Sequence, residues 1–403
     1  MVIRPLSPFA LTTEQFYLLQ YFESSITPQC VLPGSENLYC KVLLRMCIAA
    51  EPGPVLHSIL AVSANQLRLL GRNEYRIATW RSYSKALAGL SYKVQQCFDH
   101  GAEVCSEGWE DVLAASILLC FFEISFACSD TWLAHARCAR TILQAVGSVR
   151  GMSVEKQELC KLAYSYFASH DVFARTASTL HYEPWRIIEC PAYNASPINT
   201  LVGCSEELLG LISQTSDLAD EKEGIEGAEE VSLASVGYRK TDFTGSADFA
   251  RRRTAIERRL HSLSQIPLSG PNTDDIALIV ETKRLAALIY LYGRFDCLLP
   301  HQAPIPHITR KLLSLLAHIE SSTTVLLWPL FIVGTFGIQP EGDEDRKLVL
   351  KRLTAMQRVR QLAHVKKARR VIEAVWKARD LRAARDSRSW DLLREREGKI
   401  SLT

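Results

Sequence analysis

Apolar residues recur along most of the chain at the three- and four-residue spacing of amphipathic helices, and no convincing set of alternating strands accompanies them. The segment from Trp109 to Ala127 is apolar on nearly every side, which is typical of a helix buried at the centre of a bundle. Helices are predicted in the first half of the chain at Leu11–Ser25, Val55–Leu70, Tyr75–Phe98 and Trp109–Ala127, and in two further segments that begin after Asp130 and Ser153.

Residues at the ends of these segments support the helix boundaries. Thr12 or Thr13 is placed to cap the first helix, and Ser153 is placed to cap the sixth, because a hydroxyl oxygen can accept a hydrogen bond from a free amide of the first turn. Asp130 precedes the fifth helix. Gly147 is expected to end it, since glycine adopts the left-handed conformation of a helix terminus without strain.

Residues 205–265 differ in character from the rest of the chain. Acidic residues between Asp217 and Glu230 precede the basic groups Arg251–Arg253 and Arg258–Arg259, while apolar periodicity is weak and Gly and Ser are frequent. This composition favours a mobile linker or insertion. We therefore predict an N-terminal helical half (residues 1–204), a flexible charged segment (205–265) and a C-terminal helical half (266–403).

Helical periodicity resumes after the charged segment. Helices are predicted at Asp274–Cys297 and His307–Glu320, and one long helix is predicted from the turn at Pro340–Asp343 to about Asp380. No internal repeat is evident at periods of about 20–50 residues, which argues against a helical-repeat solenoid. The predicted fold is all-α, a single large multi-helix domain interrupted by the flexible charged segment.

Composition adds three expectations to this picture. Of 403 residues, 47% are hydrophobic, so a large core can be buried, and a net charge of +3 gives no global attraction to a polyanion. No apolar stretch reaches the about 20 residues that cross a bilayer, and we expect no membrane association. The twelve cysteines are expected to be reduced thiols, because the N-terminus carries no export signal.

Candidate metal ligands are sparse along the chain. A zinc site needs several thiolates or imidazoles close together, and no Cys-x2-Cys pair occurs. Cys40 and Cys47 lie within a predicted helix that supplies no further ligand. His301 and His307 flank a proline-rich turn, where solvated surface positions are favoured over a metal site. No metal site is predicted.

The candidate catalytic groups are equally weak. Cys160 and His170 are about 15 Å apart along one helix, and His170 with Asp171 is interpreted as a helix-surface or partly buried polar pair. Asp274 and Asp275 lack a third nearby carboxylate, and two acids at a helix start are explained by the helix dipole. Motifs for a nucleophile elbow, a dinucleotide fold and a phosphate loop do not occur. No catalytic residue is predicted.

A basic run lies between Arg346 and Arg370, with ten Lys or Arg residues and no acid. Apolar residues are interleaved at helical spacing, so an amphipathic helix with a solvated cationic face is the favoured interpretation. Two alternatives are a contact with phosphates or acidic coactivators, and a nuclear-import signal formed by Lys366, Lys367, Arg369 and Arg370.

Several segments, in order along the chain, form a recognisable set. They are Leu11–Phe22, Leu118–Ile124 through Trp132 with Ala139 and Leu143, Tyr166–Val172, Trp328–Gly334, Glu341–Asp345, Arg346–Arg352 and Val371–Trp376. Together they resemble the fungal-specific transcription factor domain. The resemblance covers about residues 11–200 and 270–393 and leaves the charged segment uncovered.

The resemblance implies an all-helical regulatory domain, nuclear residence, transcriptional control and response to a metabolite, and it carries over no catalytic residue. Members usually bear an N-terminal cluster of six cysteines that holds two zinc ions and presents a helix to the major groove. Here the helical pattern begins almost at Met1. We therefore expect no sequence-specific DNA binding by this chain alone, no cofactor, and zinc only in a cluster encoded upstream.

The leading hypothesis is a non-catalytic transcriptional regulator in the nucleus. Its expected partners are the transcriptional machinery or a DNA-binding relative, a small-molecule effector, and a second chain in a homo- or heterodimer. The alternatives are an α-helical enzyme, which needs a cavity lined by convergent carboxylates or histidines, and a cytosolic helical scaffold. Trp132, Trp328 and Trp376 are predicted to be structural anchors between helices.

Overall fold

The computed structural model describes residues 11–32, 34–35, 37–49, 52–98, 108–146, 152–178, 185, 196–235, 244–266, 273–381, 387–394 and 400–403. Fifteen α-helices lie within these ranges. They are α1 (Thr13–Tyr21), α2 (Arg45–Ala49), α3 (Pro54–Leu69), α4 (Arg76–Phe98), α5 (Trp109–Phe126), α6 (Trp132–Val146), α7 (Val154–Arg175), α8 (Glu206–Ser235), α9 (Thr244–Ser262), α10 (Thr273–Arg294), α11 (Ile305–His318), α12 (Leu327–Ile332), α13 (Asp343–Arg360), α14 (Ala363–Asp380) and α15 (Ser389–Arg394).

Short helical turns and one small sheet complete the described residues. The turns are π-helical at Phe22–Ile26, Tyr39–Leu44 and Val333–Gly337, and 3-10 helical at Thr27–Gln29, Asn73–Tyr75 and Thr324–Leu326. The strands are β1 (Ser196–Asn199), β2 (Cys204–Ser205) and β3 (Gln265–Ile266), with β1 central, antiparallel to β2 and parallel to β3. The all-α prediction is confirmed.

The first seven helices follow the predicted pattern closely. Thr12 caps α1 in a capping box. Its hydroxyl accepts a hydrogen bond from the Gln15 backbone N–H, and the Gln15 side-chain oxygen accepts one from the Thr12 backbone N–H. Ser153 caps α7 by accepting from the Lys156 amide. Helix α5 is buried on almost all of its surface, as its continuous apolar sequence predicts. The expected cap at Gly147 lies outside the described residues.

The predicted long helix after Pro340 is two helices, and this prediction was wrong. Helix α13 ends at Arg360, Gln361 adopts a left-handed backbone conformation with φ 49°, and α14 begins at Ala363. The chain changes direction there, so Val349 and Leu353 of α13 and Val365 of α14 all reach the same core. Apolar periodicity continued across the break, and nothing in the local sequence marks a stop.

Within the segment 205–265 the structure contains two helices that the sequence did not predict. Leu208 and Ile212 on α8, and Ile256 and Leu260 on α9, are buried in the C-terminal core. Residues 236–243 between the two helices lie outside the described residues. The division of the chain at residues 204/205 and 265/266 stays a prediction.

Two hydrophobic cores lie side by side and share α7. Phe167 on α7 packs in the N-terminal core, whereas Phe173, less than two turns later, packs in the C-terminal core. Trp328 on α12 stacks on Phe173 with 4.9 Å between ring centroids, and its indole N–H donates to the Thr176 hydroxyl over 2.9 Å. The junction between the cores is therefore tightly packed around the end of α7.

The three tryptophans chosen from the sequence lie in these cores. Trp132 and Trp328 are fully buried, and Trp376 is 5% exposed. The Trp376 indole N–H donates to the Gly334 carbonyl over 2.7 Å, which ties α14 to the π-helical turn at Val333–Gly337. Because each ring fills space between helices, the structural role predicted for them is confirmed.

Candidate functional site

A cavity of about 50 Å³ lies at the junction of the two cores. Residues from both halves of the chain line it, and they fall into a polar group and an apolar group. The polar group consists of Cys30, Tyr39, Ser125, Tyr166, Ser169, His170, Lys283, Thr324, Arg360, His364 and Thr403, and the apolar group of Phe121, Ile124, Phe173, Leu201, Val202, Val325 and Leu362.

Lys283 reaches the cavity from the middle of α10. Its side chain is 1% exposed, and its Nζ lies 4.6 Å from the centre of the Phe173 ring, a cation–π distance. No Asp or Glu lies within ion-pair distance of it in the described part of the chain. Burial lowers the pKa of this lysine to about 8, so the ammonium still carries its charge at pH 7.

Arg360 reaches the cavity from the last residue of α13. One guanidinium nitrogen lies 3.4 Å from Cys30 Sγ, and Nε lies 3.4 Å from the side-chain oxygen of Gln66. The remaining nitrogen, Nη2, is buried without a hydrogen-bond partner in the described residues. The guanidinium also lies 5.1 Å from the centre of the Phe121 ring. Its neighbours are thus soft and neutral groups, and no described Asp or Glu side chain lines the cavity beside it.

Two buried histidines complete the basic wall. His170 Nδ1 donates to the Tyr166 carbonyl over 2.7 Å, and burial lowers the pKa of this imidazole to about 4. Burial, with nearby Arg360 and His170, lowers the pKa of His364 to about 3, and a contact of the ring with the Ile124 backbone opposes this shift only weakly. Both imidazoles are therefore neutral at pH 7, and two formal positive charges face the cavity.

The cavity wall can offer hydrogen-bond donors to an acceptor but is poorly suited to a metal cation. Among the described residues that line it, no Asp or Glu is present. The charges of Lys283 and Arg360 repel a cation, and no group of three or more His, Cys, Asp or Glu able to hold a metal ion occurs in the described part of the chain. The chemistry that fits this wall is the binding of an acceptor-rich or anionic group.

The cavity meets the enzyme hypothesis only in part. Two histidines converge, as that hypothesis requires, but no carboxylate joins them. A volume of about 50 Å³ is also far below the roughly 300–1,000 Å³ of ordinary small-molecule sites. Imidazoles with a pKa of about 4 and about 3 are weak bases, because a general base works best with a pKa near the working pH.

The other candidates from the sequence do not form a site. Cys40 is hydrogen-bonded to Thr27, and burial raises the pKa of Cys47 to about 12, which makes that thiol inert. Cys160, whose pKa burial raises to about 11, does not line the cavity that contains His170. Among the described residues, the carboxylates of Asp274 and Asp275 are not joined by further metal ligands.

The pair His170 and Asp171 is buried more deeply than expected. Their residues are 6% and 3% exposed, so the pair is more deeply buried than the helix-surface or partly buried position that the sequence predicts. Asp171 turns away from His170 and accepts a hydrogen bond from the Trp185 backbone amide over 2.9 Å. Burial of both is possible because α7 is shared by the two cores and has neighbours on nearly every side.

The four residues of the nuclear-import candidate lie on the exposed side of α14. Lys366 and Arg370 are exposed. Lys367 donates to the Cys128 carbonyl over 3.1 Å, and Arg369 bonds to Glu373 and Thr354. Only two of the four side chains are thus fully presented to solvent, and the signal stays a prediction.

The sequence patterns did not reveal Lys283, Arg360 and His364 as residues of a candidate site. Each continues an apolar stripe of its own helix. Lys283 is flanked at helical spacing by Ile279 and Ala286, and His364 is followed four residues later by Ala368, all of them buried. A basic residue at a position where the periodicity calls for an apolar one is the signal that could have found them.

Comparison with known proteins defines the class of protein to which this fold belongs. The family model described as "Fungal specific transcription factor domain" matches residues 17–402. Because this match spans nearly the whole chain, the protein belongs to that family. No similar protein was found in the comparison with curated proteins, and no solved structure is significantly similar to the chain. In the described residues, no helix is both long and apolar enough to span a membrane.

Proposed function

We propose that this chain is the regulatory domain of a transcription factor, acts in the nucleus and controls transcription through protein partners. The observation that carries the proposal is the family match over residues 17–402. The structure supports it because two apolar cores meet at a small polar junction, an arrangement in which a signal at the junction reaches both halves of the molecule.

We further propose that a DNA-binding relative, rather than the basic run of this chain, brings the domain to its target genes. Several cations of that run are used inside the molecule. Arg346 pairs with Asp380 over 2.7 Å, and Arg352 donates to the carbonyls of Ile319 and Ser321. Cations held this way are not available as a continuous phosphate-binding surface.

The decisive experiment fuses residues 1–403 to a heterologous DNA-binding domain and measures output from a reporter gene. Relative to the DNA-binding domain alone, we expect a severalfold change in output, in either direction. A fusion carrying Trp328→Ala is the matched control, because loss of this buried ring disrupts the junction while leaving the surface unchanged. An unchanged reporter, with the fusion expressed and nuclear, would contradict a regulatory role.

Nuclear import is tested with a fluorescent fusion of the whole chain. We expect the wild-type fusion to accumulate in the nucleus and the double substitution Lys366→Gln with Arg370→Gln to lower that accumulation, because both side chains are exposed. The control is Lys347→Gln with Lys351→Gln, which removes the same charge from exposed positions of α13. Cytosolic fluorescence of the wild-type fusion under every growth condition would favour the scaffold alternative.

The two cavity histidines keep an α-helical enzyme as the second candidate. It predicts that the purified chain consumes a component of a metabolite extract and that His170→Phe abolishes this consumption. The regulatory proposal predicts no such turnover, since the described residues place no Asp or Glu side chain in the cavity and leave no room for a substrate of ordinary size.

A further inference from the structure

The junction cavity contains buried positive charge, and no Asp or Glu side chain is among the described residues that line it. Lys283 and Arg360 are 1% and 4% exposed, and both line the same cavity. Of the described side chains around it, none is a carboxylate. Burying a cation without a partner is strongly unfavourable, so such an arrangement is stabilised by whatever anion enters the cavity.

The unsatisfied donors indicate where such an anion would bind. Arg360 Nη2 has no hydrogen-bond partner in the described part of the chain, and the neutral His364 ring offers at most one further N–H donor. The Lys283 ammonium makes a contact with the Phe173 ring but forms no ion pair with a described residue. An oxyanion accepts hydrogen bonds from such donors in charge-assisted geometry, which is the stronger kind.

The size and the remaining walls restrict the chemistry of the ligand. A volume of about 50 Å³ holds about four water molecules, since each needs roughly 10–15 Å³. Phe121, Val202 and Leu362 make the rest of the wall apolar. A carboxylate with a short aliphatic body satisfies both the donors and the apolar surface, whereas a fully hydrated inorganic ion leaves the apolar wall uncovered.

We propose that the junction cavity is a binding site for a small carboxylate metabolite, held by Lys283 and Arg360, and that its occupancy reports on metabolism to the rest of the domain. The second half of this statement rests on the proposed regulatory function. The first half does not, because binding is a property of the chain itself. Lys283 belongs to α10 and Arg360 to α13, next to its junction with α14, so a ligand held by both residues contacts two different helices of the cavity wall.

Acetate is the probe for this site, and acetamide is its uncharged isostere. Thermal unfolding of the purified 403-residue chain is followed at increasing concentrations of each, with sodium chloride holding the ionic strength constant. We expect the midpoint temperature to rise saturably with acetate and to stay unchanged with acetamide, because a ligand that binds the folded state stabilises it by mass action. Equal responses to the two compounds would overturn the proposal.

Two substitutions locate the binding. Lys283→Met and Arg360→Met each keep a long apolar stem and remove the charge, and each should weaken acetate binding about tenfold or more, the loss expected for a charge-assisted hydrogen bond. Lys351→Met, at an exposed position of α13, is the matched control and should bind as wild type does. Circular dichroism checks that every variant is folded. Wild-type affinity in both cavity variants would place the anion elsewhere and refute the site.

A third arm replaces acetate with inorganic phosphate. A response to acetate that exceeds the response to phosphate supports the carboxylate assignment, whereas a response to phosphate alone overturns it. The reporter assay is independent of these measurements. An inert reporter with intact acetate binding contradicts the regulatory function only, and a responsive reporter without acetate binding contradicts the ligand site only.

Discussion

Buried cations in this protein fall into two groups that differ in their partners. Arg294 is 1% exposed and forms ion pairs with Asp220 and Glu223, each over 2.6 Å. Arg175 likewise pairs with Asp217. Lys283 is buried to the same extent, and no described Asp or Glu side chain lines the cavity with it. The ion pairs of Arg175 and Arg294 stabilise the contact of α8 with its neighbours. Lys283, in contrast, leaves a positive charge at the junction cavity.

Replacing Lys283 with methionine should therefore stabilise the protein at pH 7 in a buffer free of carboxylates. Burial lowers the pKa of Lys283 from 10.5 to about 8, which corresponds to about 3 kcal/mol of unfavourable free energy at any pH below 8. Urea unfolding of Lys283→Met and wild type measures the difference. The gain should shrink as the pH rises from 8 towards 10.5, because the folded wild type holds this lysine neutral there while the unfolded chain still binds the proton, so the stability of the wild type rises with pH.

Lys351→Met is the control for this measurement, because its side chain is exposed and folding does not remove it from water. Its unfolding free energy should lie close to that of the wild type. A Lys283→Met protein less stable than wild type at pH 7 would show that the ammonium has a favourable partner in the folded state.

The cavity histidines should make the protein sensitive to acid. Burial lowers the pKa of His170 to about 4 and of His364 to about 3, below the 6.5 of an unfolded histidine. The unfolded state binds more protons between these values, so stability falls as the pH drops below 6.5, by roughly 1 kcal/mol per pH unit for each histidine. Urea unfolding between pH 7.5 and pH 5 measures this slope.

The substitution His364→Leu should make that pH dependence shallower. Its control is His307→Gln, a histidine that is exposed at the start of α11 and stays in contact with water in both states. If His364→Leu and His307→Gln showed the same slope as the wild type, proton binding at the cavity would not explain the acid sensitivity.

At the level of secondary-structure elements, the break between α13 and α14 determines where the cavity lies. Gln361 holds a left-handed conformation with φ 49°, which places Arg360 and His364 on either side of the turn and directs both towards the junction. A residue other than glycine in this conformation is strained by about 1 kcal/mol. The turn is therefore stabilised by its tertiary contacts rather than by its own sequence.

Substitutions at Gln361 should report this strain. Gln361→Gly is expected to be neutral or stabilising by up to about 1 kcal/mol, because glycine adopts a left-handed conformation freely. Gln361→Val should destabilise, since a β-branched residue with positive φ is a genuine outlier. Chemical denaturation of the two variants side by side is the test, and equal stabilities would mean that the turn relaxes to another conformation in solution.

The sequence predicted the elements whose burial follows a simple period and missed those that depend on distant partners. Helix α5 and the caps at Thr12 and Ser153 were found, because apolar spacing and capping chemistry are local. Helix α8 was not, since its acidic residues bind Arg175 and Arg294 far away in sequence. The family resemblance was found from the same local patterns and is confirmed by the family match.

The candidate site was harder to predict than the fold. His170 was noticed, but as a partner for Cys160 or Asp171. Its actual neighbours in the cavity are Lys283 and His364, which lie more than a hundred residues away. No local sequence pattern encodes the proximity of these three side chains, because it depends on how α7, α10 and α14 pack against one another.

At the scale of the whole molecule, the end of α7 is where the two cores depend on each other. Phe173 and Thr176 on this helix hold Trp328 of α12 by stacking and by a 2.9 Å hydrogen bond. Gln66 on α3 donates to the Arg360 carbonyl over 2.8 Å and adds a second link across the junction. We therefore expect the two cores to unfold together, although each could bury its own apolar surface.

Substitution of Trp328 tests this dependence. Trp328→Ala should lower the free energy of unfolding by about 3–5 kcal/mol, the usual cost of removing a large buried side chain. Trp328→Phe keeps a ring against Phe173 but loses the hydrogen bond to Thr176 and part of the buried ring volume, so a smaller loss of about 2 kcal/mol is expected. Hydrogen exchange is then followed in α5, which belongs only to the N-terminal core, and in α11, which belongs only to the C-terminal core.

If the cores are coupled, Trp328→Ala reduces the protection from hydrogen exchange in α5 and in α11 by the same free energy. This holds although α5 belongs to the N-terminal core and Trp328 to the C-terminal core. Loss of protection in α11 alone would show that the halves open independently. The coupled result also matters for regulation. The cavity borders both cores, and in the coupled case the two cores unfold together. A ligand bound to Lys283 and Arg360 then stabilises both halves of the domain at once.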